Sequence, residues 1–205
     1  MNTGLQDAAN LSWKIAAVAR GWAGDSLLDS YHAERYPVGR MVLRMSGGLL
    51  RLGLLEPGVL RRGLVLAGTA ARQIRPVADK AARAISGISI GYAAGSGAHP
   101  LAGRRMPDIP LAAGHGRLYE LLRGGRFVLL AAEDASTAAA AWADRIEVAA
   151  RRREHPQLIL VRPDGYIAWA SDEADPARRD ASLREALTRW CGAPADLAVA
   201  QRRPG

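Results

Sequence analysis

"QLILVRPDGYIAWA" (Gln157 to Ala170) sets the fold of the second half of this chain. Leu158 to Val161 is an unbroken apolar run of strand length, and Tyr166 to Ala170 is a second one. Between them Pro163-Asp164-Gly165 is turn chemistry: proline presets φ, aspartate bonds its own backbone, and glycine accepts positive φ. Two such runs around a tight turn predict a hairpin. Working outward, "IEVAA" (146 to 150) reads as an edge-like strand and "ASTAAAAWADR" (135 to 145) as a helix. "RFVLLAA" (126 to 132) reads as a buried strand and "GRLYELLRG" (116 to 124) as a short helix. On the other side, Asp175 followed by Pro176 opens a last helix that runs through Trp190.

The order α-β-α-β-β-β-α is that of a thioredoxin-like α/β domain, assigned to residues 111–198, with 199–205 as a flexible tail. Trp142, Trp169 and Trp190 are expected to fill its core, since the chain has few other large side chains. The redox pair of such a fold is missing. Cys191 is the only cysteine, which excludes an internal disulfide, a CxxC pair and a cysteine-based zinc site. Near a helix C-terminus it also lacks the dipole position that activates a thiol. "AAGSGAHPLAGRRMPDIP" (93 to 110) is rich in glycine and proline and reads as a linker or extended arm.

Residues 1–92 read as helical, so the chain as a whole is α+β. Thr3 to Gln6 matches a capping box, with Asp7 in the first turn. Ala8, Ala9, Ser12, Ala16 and Ala19 make a small-residue face, and Gly21 and Gly24 are stop signals. Asp25 is a cap for "SLLDSYHAERY" (26 to 36), which Pro37 is expected to end or kink. Val38, Met41, Val42, Met45 and Leu49 then fall at helical spacing, with Gly47, Gly48, Gly53 and Pro57-Gly58 as breaks. Val59, Leu60 and Leu64, then Val77, Ala81, Ile85 and Ile88, suggest two further amphipathic helices. Unpaired amides at the start of the first helix favour an anion or a partly negative ligand edge, and Gly4 allows close approach. On spacing alone, a plain capped helix explains the same residues.

The 205-residue chain has a net charge of +8, almost all of it arginine; the only lysines are Lys14 and Lys80. The arginines are scattered and few aromatics lie among them, which argues against a nucleic-acid surface. No apolar run of about 18 residues is present, so no membrane span is expected, and no signal-peptide pattern opens the chain. A reducing cytoplasm suits the cysteine usage. His115 and His155 have no second ligand at metal spacing, so no metal site is expected, and His99 before Pro100 reads as a loop residue. Tyr31 with Arg35, or His32 with Tyr36, each one turn apart, read as a helix-packing polar cluster; Trp13 and Lys14 read as packing and a solvated charge.

The residue strings say more than their spacing. "MNTGLQDAANLSWKIAAVARGWA" (Met1 to Ala23) resembles a segment of the FAD-dependent aromatic hydroxylases, the flavoprotein monooxygenases related to para-hydroxybenzoate hydroxylase. It is most similar to the subgroup acting on aromatic polyketides. "LLDSYHAERYPVG" (27 to 39) resembles the next family segment. "HPLAGRRMPDIPL", "GRFVLL" and "LVRPDGYIAWA" resemble the family's C-terminal thioredoxin-like domain. The resemblance implies FAD as cofactor, NAD(P)H and O2 as co-substrates, and an aromatic small molecule as substrate. It implies that Met1, Asn2, Thr3 and Gly4 face the pyrimidine edge of the flavin, and it assigns no catalytic residue. A reduced flavin is electron-rich at that edge, which a helix N-terminus would stabilise.

The family's GxGxxG turn and ribose-binding acid have no match in these residues, so the resemblance is to a C-terminal portion. Alone, the chain is expected to bind FAD weakly or not at all. An N-terminal FAD-binding chain, or a second copy of this one, is the expected protein partner. The rival reading is a non-enzymatic thioredoxin-like interaction or dimerisation module, or an inactive remnant.

Overall fold

Four short strands carry the sheet: β1 (Phe127–Leu130), β2 (Ile146–Ala149), β3 (Leu158–Val161) and β4 (Ile167–Ser171). A computed structural model describes them, covering residues 2–54, 58–76, 78–79, 87, 89–112, 114–131, 136–151 and 157–194. The spatial order is β2-β1-β3-β4. β1 and β2 run parallel, with Phe127 opposite Ile146; β3 is antiparallel to both β1 and β4. This is the thioredoxin-like sheet. β1 and β3 are central and buried along their whole length, which is why they read as continuous apolar runs.

Side chains alternate between two faces of the sheet, as the strand period requires. One face carries Phe127, Leu129, Leu158 and Leu160, covered by Leu183, Leu187 and Cys191 of the last helix and by Trp142. The other carries Val128, Leu130, Ile159 and Val161, covered by Leu118, Leu122, Met106 and Leu111. The helices of this half are α4 (Leu118–Leu122), α5 (Ser136–Ala139, continued by a 3-10 turn to Trp142) and α6 (Pro176–Cys191). Asp175 caps α6 by accepting from the Arg178 amide at 2.9 Å. α6 ends at Gly192, whose φ of 80° puts it in the left-handed region. A Cβ there would collide with the Trp22 carbonyl oxygen, so the site requires glycine.

The N-terminal half is α1 (Asn2–Ala19), α2 (Ser26–Leu54) and α3 (Val59–Arg72). Three expectations change here. α1 already includes Asn2, so Thr3 lies inside the helix rather than capping it, and its first turn holds no acidic residue. Asp7 instead pairs with Arg35 of α2. Pro37 does not end α2; the helix continues for 17 further residues to Leu54, through Gly47, Gly48 and Gly53. A mid-helix proline costs the bond to the carbonyl four residues back. Here packing on both sides offsets that loss: Arg35 is anchored before it, and Val38 is buried with Tyr92 and Tyr166 after it. Val77, Ala81, Ile85 and Ile88 lie outside the described residues, as does the 199–205 tail.

The two halves share one core. Trp13 of α1 inserts into the sheet cluster and meets Phe127 edge-on, ring centres 5.3 Å apart. The glycine- and proline-rich arm lies along the hairpin. Gly103 donates to the Ile167 carbonyl at 2.8 Å and accepts from the Tyr92 amide at 2.9 Å. Further along, Arg105 bridges to Tyr166.

Candidate functional site

Of the residues expected to face a flavin, Met1 lies outside the described residues. Asn2, Thr3 and Gly4 form the opening turn of α1. The first amides of a helix have no partner within it, and their dipoles add. Asn2 and Gly4 are exposed, and Leu5 beside them is 65% exposed. A Cβ built on Gly4 would meet no atom within 4 Å. This turn is therefore exposed at Asn2, Gly4 and Leu5, and it holds no carboxylate that would oppose an electron-rich ligand.

Asn2, Leu5 and Gln6 line a cleft of about 520 Å³ together with Arg105, Met106, Tyr119 and Asp108, whose carboxylate is paired with Arg117. Arg105 is held by two tyrosines. Its Nε donates to the Tyr119 hydroxyl at 3.1 Å, and its guanidinium lies 5.7 and 5.8 Å from the ring centres of Tyr119 and Tyr166. Burial by itself would lower the guanidinium pKa, but the tyrosine contacts raise it above the ordinary value. Arg105 thus remains a cation, and among the described residues no carboxylate pairs with it.

Behind the tip, the opposite face of α1 is fixed by buried charge. Lys14, expected to be solvated, is fully buried. It shares the helix face of Asn10, Trp13 and Ala17, which all turn inward. Its Nζ donates to Glu34 Oε2 and to Asn10 Oδ1, both at 3.0 Å. Arg162, at the end of β3, donates from Nη1 to Glu34 Oε1 at 2.6 Å and from Nη2 to Glu34 Oε2 at 3.0 Å. The same guanidinium bonds Asp164 through Nε at 3.0 Å and again through Nη2. Asn10 Nδ2 reaches both carboxylates, at 2.6 Å to Glu34 and 3.3 Å to Asp164. Two cations and two anions close the cluster at zero net charge.

The environment shifts each group. Burial would raise the Glu34 carboxyl, but hydrogen bonds and charge from Arg162, with help from Asn10 and Lys14, hold it below its ordinary value. Burial pulls Lys14 down, and Glu34 only partly offsets this. Burial also disfavours charged Arg162, yet Asp164 and Glu34 push its pKa up. Arg162 therefore keeps its charge at any working pH.

A second tie sits one turn nearer the tip. Arg35 pairs with Asp7, donates to the Tyr92 hydroxyl at 3.3 Å, and reaches the Thr3 carbonyl at 3.4 Å. His32 and Tyr36 stack, ring centres 5.0 Å apart, as expected of a packing pair. His99 bonds Asp172 at 2.9 Å. Among the described residues no group of three or more metal-ligating side chains gathers, and no helix is long and apolar enough to cross a membrane.

The sequence reading missed the charge cluster. Its signal was present in position rather than type: Lys14 falls on the Trp13–Ala17 face, Arg162 precedes the hairpin turn and Asp164 lies within it.

Comparison with known proteins concerns the sequence and the fold. Residues 99–194 match the family profile "Aromatic-ring hydroxylase, C-terminal", and residues 1–46 match "FAD binding domain". The chain is 39% identical over 200 residues to a rifampicin monooxygenase of Streptomyces venezuelae, covering 94% of this chain and 38% of that protein. It is 36% identical over 208 residues to the 12-dehydrotetracycline 5-monooxygenase/anhydrotetracycline 6-monooxygenase of Streptomyces rimosus, covering 95% and 40%. The structure superposes on the anhydrotetracycline hydroxylase OxyS of Streptomyces rimosus with a TM-score of 0.78 at 35% identity, covering 94% of this chain and 41% of that one. The chain thus spans about two fifths of the length of the relatives it matches. By sequence and by fold it matches the C-terminal region of the aromatic-ring hydroxylases.

Proposed function

We propose that this chain is the C-terminal portion of an FAD-dependent monooxygenase that hydroxylates aromatic, polyketide-type substrates with NAD(P)H and O2. The observation that carries the reading is the open tip of α1, which lies in the stretch matching the FAD-binding profile. The residues fit the cofactor's polar edge. Asn2, Thr3 and Gly4 present free amides, Gly4 has no side chain to obstruct approach, and the first turn holds no acid. When bound, FAD would supply the redox chemistry between NAD(P)H and O2. The chain's own part is to hold and polarise. The amides of residues 2–4 hold the electron-rich pyrimidine edge, Arg105 adds positive charge in the adjoining cleft, and Arg35 anchors the turn through the Thr3 carbonyl.

A second reading has its own support. Leu43, Leu50, Leu54 and Leu66 are each more than 60% exposed on α2 and α3, as an interaction module would require. One reconstitution separates the two. The chain is purified alone and together with the N-terminal FAD-binding region of the Streptomyces rimosus relative. The monooxygenase reading expects little FAD retained by the chain alone, and retained FAD with aromatic-stimulated NAD(P)H oxidation in the pair. A pair that forms but holds no flavin would favour the interaction module.

A further inference from the structure

We propose that Arg162 is a positioning residue for the tip of α1, and that the thioredoxin-like domain serves the site as the body against which that helix is set. The inference rests on the flavin reading only for what the tip touches; the coupling itself stands on the geometry.

The domain has no cysteine pair to give it redox work. What it does have is one guanidinium that grips two carboxylates from different parts of the fold. Glu34 belongs to α2, and Asp164 to the β3–β4 turn. The sequence separation between Arg162 and Glu34 is 128 residues. A planar fork meets both carboxylates with N–H bonds in one fixed plane, a geometry that the freely rotating donors of an ammonium do not impose. Asn10 and Lys14 then read the position of α1 against this fixed pair. They are four residues apart, one helical turn, and both contact Glu34. A rotation of α1 by one residue, about 100°, would remove both from the cluster.

The lever is short. Asn10 is eight residues from Asn2, about 12 Å along the axis, so a tilt of about 10° at Asn10 moves the tip by about 2 Å. Displacements of that size matter where a group is held for reaction. A buried ion cluster is weak evidence for stability, since apolar replacements often do as well. Fixing the orientation of α1 is a use that apolar replacements would not reproduce.

The test uses amide hydrogen exchange on the 205-residue chain, comparing Arg162→Lys and Arg162→Met with wild type. Arg162→Lys keeps the charge and loses the fork. The expected result is at least tenfold faster exchange of the α1 amides from Asp7 to Lys14 in Arg162→Lys, with β1 and β3 amides within twofold of wild type. Parallel acceleration of helix and sheet, or an unchanged α1, would overturn the proposal. If Arg162→Met does not fold, Arg162→Lys alone decides. A second arm uses the flavin-loaded pair described above and reads its visible spectrum and reduction potential. Arg162→Lys is expected to shift both while FAD content is kept. A wild-type pair without flavin counts against the cofactor reading alone, while loaded flavin with an unmoved spectrum and potential counts against Arg162.

Discussion

Asn10 of α1 and Asp164 of the β3–β4 turn lie 154 positions apart in sequence and 3.3 Å apart in the folded chain. That contact joins the helical half to the sheet half in a buried polar setting. The hydrogen bonds there distribute unevenly. Glu34 accepts from Arg162, Lys14 and Asn10, while Lys14 has only Glu34 and Asn10.

Glu34→Gln is therefore expected to cost more than Lys14→Met. Removing the Glu34 charge leaves Lys14 and Arg162 facing only Asp164, a loss of about 3 kcal/mol or more. Removing Lys14 leaves Glu34 with its bidentate arginine and relieves a buried ammonium, a cost of about 1 kcal/mol. Urea denaturation of the two variants, read as midpoint and slope, checks the order.

Acid should reveal the same carboxylate. The folded protein holds Glu34 below its ordinary value, while the unfolded chain titrates it near about pH 4.3. Below that point the unfolded state takes up the proton first, so stability falls as pH drops through the folded value and is fully present above about pH 4.3. Denaturation midpoints between pH 3 and pH 6 should fall more steeply for wild type than for Glu34→Gln. Equal slopes would remove Glu34 from the account.

Two glycines should part company. Gly192→Ala places a methyl against the Trp22 carbonyl at positive φ and should cost at least about 2 kcal/mol. Gly4→Ala meets open space inside a helix and should stabilise the chain by about 0.5–1 kcal/mol. In the flavin-loaded pair, Gly4→Ala should instead weaken FAD retention. A stabilised variant that also keeps its flavin would separate Gly4 from the ligand.

Cys191 should be chemically silent. It is 3% exposed, and burial pushes its thiol well up despite the nearby Arg145 charge. A thiol-reactive dye should label it only on unfolding, with a rate that tracks the denaturation curve. Fast labelling under native conditions would show that the α6 C-terminus opens.

The sheet domain was legible because its signals are local. The Pro163-Asp164-Gly165 turn, the runs in β1 and β3, and the Asp175 cap each state their structure within a few residues, and the observed elements follow them. The helical half was less legible because its outcome depends on distant partners. Pro37 carries a local stop signal that packing of Val38 against Tyr92 and Tyr166 overrides. Thr3 carries capping chemistry, but the helix already includes Asn2. Lys14 was assigned to solvent by residue type, whereas its neutralising partner comes from another helix and the arginine behind that partner from the hairpin. The start of α1 was legible as a helix terminus; the Arg105 cleft beside it, built from an arm roughly a hundred residues downstream, was not.

The ionic junction also limits how relatives of this chain exchange parts. A sheet domain grafted from a relative would seat on these helices only if it brings an arginine before the hairpin turn and an aspartate within it, and the recipient must offer the matching glutamate, asparagine and lysine. These five positions should be inherited as a set, so a homologue that has lost one should show compensating change at the others rather than drift independently.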